Sequence, residues 1–373
     1  MVKCQVIMDA MEAIAPKRLA EDWDNPGLLL GSPAQDIHHI HVCLDVSEAV
    51  IEAAIAQGAD MIISHHPLIF HAVKQLRTDL PLGRMLQQLM ENHIAVYAAH
   101  TNLDIAPGGV NDVLAGLLGL QEIHDFAVTG AEELEKLAVY VPHDHAEQVR
   151  EAITAAGAGA IGRYTCCTFN VVGQGTFLPQ TDTHPFIGIP GRMERVDEVR
   201  IETILPAALE RKVLRAMLRA HPYEEVAYDL YPLKNQGKSN SLGRMGILPD
   251  ALTVQEFASR VCRALQTDYV RLVQAGSRRV KKVALCSGSG AEFISKASFM
   301  GADVYVTGDV KYHDAQQAAS LGMHLIDAGH FATEFPMVPV LGRYLREEMQ
   351  RQHRSVQISC DEQSQDFFSL VGK

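Results

Sequence analysis

An internal repeat limits what this chain can fold into more than any other feature. Residues 58–64 read GADMIIS and lead into His65-His66; residues 301–307 read GADVYVT and lead into Gly308-Asp309. Upstream of each lie an apolar run and a helix-like stretch, HVCLD and VSEAVIEAAIAQ in the first copy, KVALC and AEFISKASFM in the second. Downstream, each copy has another apolar run ending in a histidine, IAVYAAHTNLD and HLIDAGHFATE. Aligned on that histidine they become A-A-H-x-x-x-D and A-G-H-x-x-x-E. Each copy is therefore strand, helix, strand, intervening segment, strand, the alternation of parallel α/β units. The expectation is a duplicated parallel-sheet α/β core.

Between the copies the pattern changes. KLAVYVP (136–142) reads as a strand and HAEQVREAITAAG (145–157) as a helix. YTCCTFNVVGQGTF (164–177) alternates and is punctuated by glycine, which predicts a hairpin. VRIETILP (199–206), ALERKVLRAMLRAH (208–221) and VAYDLYPL (226–233) then predict strand, helix and strand. The order β-α-β-β-α-β is that of a ferredoxin-like α+β domain. The expected organisation is 1–128 as the first half of the core, 129–236 as the insert, and 237–373 as the second half.

Ligands of open parallel sheets bind beyond the carboxyl ends of the strands. The strand ends here present His65 and His66, His100 with Asp104, Gly308 with Asp309, and His330 with Glu334. Imidazole with carboxylate suits zinc, iron, manganese or nickel in a Lewis-acid role rather than a structural thiolate site. Taken singly, a His-His pair reads as a turn feature, H-x-x-x-E as a plain helical pair and HTNLD as an Asx-type turn. Together, on equivalent ends of a duplicated sheet, they predict a metal site. Residues four apart share one face of a helix, so His330 and Glu334 can reach one ion. His65 and His66 can converge only if the strand has ended, as Pro67 suggests.

Five donors, His65, His66, Asp104, His330 and Glu334, exceed the needs of one tetrahedral ion with an open position. Two divalent ions, zinc, iron or manganese, fit the count better. His100 is either a sixth ligand or a catalytic base. Asp309 and His313 are expected to support the ligands or touch substrate. Two further segments carry weaker signals. CSGSGAEF (286–293) suits either an anion-binding turn or a tight strand-to-helix link, and HPYEEVAYDLYPL (221–233) offers His221, Glu224 and Glu225 within the insert. EDWDNPGLLLG (21–31) reads as a structural loop.

Composition narrows the function classes. A formal net charge of -12 disfavours non-specific nucleic-acid binding, and no apolar run is long enough to span a membrane. The N-terminus does not read as a signal peptide. Seven cysteines without paired spacing, several inside apolar runs, indicate a reducing, cytoplasmic protein.

SHHPLIF, AAHTNLD, TGDVKYHDA, GHFATE and DWDNPGLLLG together resemble the NGG-interacting-factor-three-like family, whose members are labelled GTP cyclohydrolase I type 2 homologues. GAGAIGRYTCCTF and AHPYEEVAYDLYPL are similar to the CutA-like domain inserted in longer bacterial members. The resemblance implies a dinuclear metal centre on the same five residues and a toroidal homohexamer. The expected activity is metal-dependent hydrolysis of a small, nucleotide-like substrate. The alternative is a non-enzymatic metal-binding regulatory or DNA-associated assembly.

Overall fold

The computed structural model describes residues 1–369 and 371. The chain divides into two compact units, one formed by residues 1–129 together with those from 240 onward, the other by residues 130–239. In the first half of the larger unit the elements run α1 (Cys4–Ile14), β1 (Gly27–Leu30), β2 (His39–Cys43), α2 (Glu48–Ala56), β3 (Met61–Ser64) and α3 (Pro81–Glu91). After these come β4 (Ala95–Ala98), α4 (Thr101–Ile105), α5 (Val110–Leu117) and β5 (Gln121–Asp125).

The smaller unit contains β6 (Leu134–Pro142), α6 (Ala146–Ala155), β7 (Thr168–Phe177), β8 (Glu194–Pro206), α7 (Glu210–Ala220) and β9 (Tyr228–Leu233). Its sheet is antiparallel throughout, in the order β7-β8-β6-β9. Val149, Ile153, Val213 and Met217 of the two helices pack on Leu137, Val139, Val141, Val199 and Ile201 of the central strands. The hairpin expected within 164–177 is not there. Gly173 and Gly175 keep extended backbones, so the strand continues through them and finds its partner in β8 instead.

The second half of the larger unit begins with β10 (Arg244–Leu252), α8 (Val254–Leu265), β11 (Arg271–Val273), β12 (Val280–Ser289), α9 (Ile294–Phe299) and β13 (Val304–Gly308). It ends with α10 (Tyr312–Ser320), β14 (His324–Asp327), α11 (His330–Glu334), α12 (Met337–Arg351) and β15 (Gln357–Cys360). Local sequence explains these elements. In α8, Thr253 and Glu256 form a capping box, and Val254, Phe257, Ala258, Val261 and Leu265 recur at helical spacing to give one buried face. Burying Phe257 alone contributes roughly 1.5–3 kcal/mol.

Both halves hold three parallel strands, β2-β3-β4 and β12-β13-β14. The short strands are buried end to end because helices cover both faces of each sheet. On one face of the first sheet, α1 and α12 pack against Ile40, Val42, Met61, Ile63 and Tyr97. On its other face, α2 and α3 meet Ile62 and Val96. The second sheet is covered by α5 and α8 on one face and by α9 and α10 on the other.

The covering is reciprocal. Helix α5 and strand β5 belong to the first half by sequence, yet α5 packs on β12 and β5 pairs with β10 of the second sheet. Helix α12 and strand β15 close the second half, yet they complete the first sheet, where β15 runs parallel to β2. Each half thus hands its last helix and strand to the other. Among the described residues no helix is long and apolar enough to cross a membrane.

Candidate metal centre

Carboxyl ends of the parallel strands converge on one cluster. β3 stops at Ser64, so His65 and His66 both lie past the strand, their ring centroids 5.0 Å apart, and both approach Glu334. β4 leads to His100, which caps α4 and stands four residues before Asp104. β14 leads to Gly329, whose φ of +84° turns the chain sharply into α11 and sets His330 and Glu334 on one face.

Glu334 is the hub. Its Oε1 lies 3.8 Å from His65 Nε2, and its Oε2 lies 3.0 Å from His66 Nε2 and 3.1 Å from His330 Nε2. His65 Nε2 is also 3.6 Å from Asp104 Oδ1. Three groups of donor atoms gather within 4.8 Å of one another: His65, Asp104 and Glu334; His66, His330 and Glu334; and His65, His66 and His100. His65 Nε2 and Glu334 Oε2 are buried and lack a partner in hydrogen-bonding geometry, despite the short separations. Buried polar atoms left this way are costly unless another group satisfies them. A cation shared by imidazole nitrogens and carboxylate oxygens is such a group, so the residues present fit a divalent metal.

The rings are oriented from behind. Nδ1 of each imidazole donates to an oxygen: His65 to the Ala99 carbonyl, His66 to Asp45, His100 to Asp24 and His330 to Asp309, each at 2.8 Å. Carbonyl and carboxylate oxygens only accept, so the Nδ1 proton is fixed and Nε2 is the nitrogen left to face the centre. Asp24 also accepts from the backbone N–H of Asn25 and of Thr101. These hydrogen bonds and the His100 ring overcome its burial and hold its carboxyl at about 2.

Charge in the cluster follows from crowding. Burial opposes the imidazolium of His66, but Asp45 and Glu334 outweigh it and push the group up to about 10. His330 rises to about 9 against the same penalty, through Glu334 and Asp309. Burial favours neutral Glu334, yet the surrounding imidazoles hold it well below the usual carboxylate range. Asp104 moves the opposite way, raised by burial and by the negative Glu334. Protons on imidazoles around a buried carboxylate occupy the positions that a cation would take.

CSGSG runs alongside the cluster rather than standing apart as a separate anion turn. Gly288 adopts φ +59°, and a Cβ there would collide with Glu334 Oε1 and lie 3.2 Å from His330 Nε2. Its N–H donates to Thr333 Oγ1, tying the turn to α11. Asp309 takes a left-handed backbone, φ +54°, as it reaches His330. His313 is not drawn in; it is exposed on α10, with Nδ1 3.3 Å from Gln316. His221 is spent on the backbone, its Nε2 meeting the Tyr140 carbonyl at 3.0 Å.

Sequence reasoning missed Asp45 and Asp24. The first ends the apolar run HVCLD, the same kind of strand-end position that marked the histidines. The second lies in EDWDNPGLLLG, read as structural, and its contact with His100 bridges 76 residues of chain. Trp23 and Phe70 stand beside His100, with ring centroids 6.0 and 6.2 Å from it.

Known proteins resemble this chain over most of its length. It is 46% identical over 326 residues to a protein of Halalkalibacterium halodurans named GTP cyclohydrolase 1 type 2 homolog, with 87% of this chain and 88% of that one covered. A Bacillus subtilis protein of the same name is 46% identical over 331 residues, covering 89% of each. The crystal structure of a Bacillus cereus protein related to NIF3 superposes with a TM-score of 0.91 at 44% identity, over 99% of both chains. The Duf34/NIF3 (NGG1p interacting factor 3) family model matches residues 2–366, and the chain belongs to that family.

Proposed function

We propose that this protein is a metal-dependent hydrolase of a nucleotide-like small molecule. Its site would hold two divalent ions, zinc, iron or manganese, on His65, His66, Asp104, His330 and Glu334. The observation that carries the reading is Glu334, whose two oxygens face different donor groups, Oε1 towards His65 and Oε2 towards His66 and His330. A carboxylate so placed can bridge two cations. The ions would supply Lewis acidity and a water molecule acidified towards neutral pH.

The chain's own residues do the rest. Asp45, Asp309 and the Ala99 carbonyl keep three imidazoles aimed inward. His100, with Nδ1 held by ionised Asp24, is left with Nε2 to take or return a proton at the reacting group. Ring-opening hydrolysis of GTP, as the names of the relatives suggest, is the first reaction to assay. The smaller unit reads as a ferredoxin-like domain on its strand order and as CutA-like on the resemblance of GAGAIGRYTCCTF and AHPYEEVAYDLYPL, and a hexamer in a reducing cytoplasm completes the reading. The hexamer rests on the family resemblance, and the cytoplasmic setting on the unpaired cysteines.

The test is metal content per chain, by elemental analysis of the parent, His66→Ala and Glu334→Ala, followed by a search for formate release from GTP. About two equivalents in the parent, falling in both folded variants, is the expected result. Failure to retain metal after reconstitution with zinc, manganese or iron would overturn the proposal. Metal retained without turnover of any nucleotide would favour the regulatory assembly.

A further inference from the structure

The smaller unit carries its own cavity, of about 470 Å³, a size suited to a small-molecule ligand. Its lining is mainly apolar and includes the rings of Tyr140, Phe177, Phe186 and Tyr223. Phe177 and Phe186 stand 6.0 and 6.4 Å from Tyr223, tilted at 62° and 51°, so the three rings form a curved wall rather than a stack. Carboxylates complete the lining: Glu198, Glu224 and Glu225.

Each feature of this wall has a local cause. Gly175 has no side chain, and a Cβ there would collide with the Glu198 carboxylate, so the glycine gives the carboxylate its place over the strand. The Tyr223 hydroxyl donates to Glu198 Oε1 at 3.1 Å and fixes it against the ring wall. Burial and the Glu198 charge raise that hydroxyl, which keeps it a donor. Glu224 accepts the His184 N–H at 3.0 Å and so pins the loop that carries Phe186. Among the described residues no lysine or arginine lines the cavity, so its carboxylates face no basic side chain of the lining.

From this combination we infer that the cavity binds an organic cation, an alkylammonium group with an apolar body, held by ring faces and by Glu198. An anion would meet uncompensated carboxylates. A neutral apolar molecule would desolvate the carboxylates without bringing a counter-charge to them. An alkylammonium satisfies both, since the quadrupole of an aromatic face attracts a cation and desolvation strengthens that attraction. The alkylammonium can come from a free organic cation or from a lysine side chain.

The test titrates the full-length protein with choline, with its uncharged isostere 3,3-dimethylbutan-1-ol, and with capped lysine amide, read by calorimetry. The cations are expected to bind about tenfold more tightly than the isostere. Glu198→Gln and Phe186→Ala should each weaken choline about tenfold. Phe186 is 54% exposed on a loop, so its loss leaves the core intact, and circular dichroism checks that both variants fold. Preference for choline over capped lysine amide assigns a free organic cation as the source, and the reverse assigns a protein side chain. Equal binding of choline and the isostere, undiminished choline binding by Glu198→Gln, or no binding of any probe at about 10 mM would overturn the inference. None of these outcomes depends on the metal centre.

Discussion

Asp45 and Asp309 each accept the Nδ1 proton of a cluster imidazole at 2.8 Å, and neither lies among the inward-facing donors. Replacing either with Asn keeps an acceptor of the same size and removes the charge. Losing such a partner typically weakens metal binding 10–100-fold, or about 1.4–2.7 kcal/mol. Exposure sets the order within that range. The Asp45 side chain is 30% exposed and that of Asp309 is 49% exposed, so water screens Asp309 more strongly. Asp309→Asn should therefore weaken zinc about tenfold, and Asp45→Asn nearer to a hundredfold. Backbone strain does not confuse the comparison, because Asn tolerates the left-handed conformation of residue 309 as well as Asp does. Competition with a chromophoric chelator measures both affinities, and circular dichroism confirms that the variants are folded. The reasoning is refuted if the order reverses, or if both variants stay within about threefold of the parent.

Asp24→Asn should separate His100 from the other imidazoles. Because the Asp24 side chain is fully buried and accepts several hydrogen bonds, stability in urea should fall by about 1–3 kcal/mol. Metal content should stay at the parent level while turnover drops; loss of metal instead would make His100 a ligand. Gly288→Ala must adopt a left-handed backbone and push against Glu334, so it should cost about 1–2 kcal/mol and lower metal affinity. A variant matching the parent in both would contradict the close approach. His66 and His330 titrate near 10 and 9 in the metal-free chain, above an unfolded value of about 6.5. Their contribution to metal-free stability is thus fully present below about pH 6.5 and is lost as pH rises through 9 and 10. Zinc must displace those protons, so adding it near pH 7.5 should release on the order of two per chain, measurable in unbuffered solution with an indicator. Absence of release would show that the imidazoles are already neutral.

The donors of the cluster were legible because they sit where short apolar runs end, and strand ends can be read from local periodicity. Gly329 before His330 and Pro67 after His66 added turn chemistry that is equally local. What supports the rings was not legible. Asp24 meets His100 across 76 residues and Asp45 meets His66 across 21, and no spacing rule joins them. The segment 164–177 misled because its glycines, usually turn signals, serve as flat positions, one of them beneath Glu198. β5, QEIHD, is exposed along its length and has no apolar period, so its pairing with the second sheet left no trace in the pattern. His313 shared its segment with Asp309 but pointed away, because a helix turns a residue four positions on by 40° only while the helix lasts, and α10 begins at Tyr312.

The exchange of α12 and β15 has a consequence for biosynthesis. The strands of the first sheet leave the ribosome early, but the helix that seals one of their faces begins at Met337 and the edge strand beside β2 at Gln357. Translating the stretch from Ile105 to Met337 takes on the order of ten to fifty seconds at roughly 5–20 residues per second. For that interval Ile40, Val42, Met61 and Ile63 have α1 over them and lack α12. Ribosome-stalled chains ending before Met337 should therefore bind a hydrophobic dye and recruit holdase chaperones, and chains released past Cys360 should do neither. His65 and His66 are made before that interval opens, but they wait for Glu334 near its end, so a chain able to hold metal there has already been almost wholly synthesised.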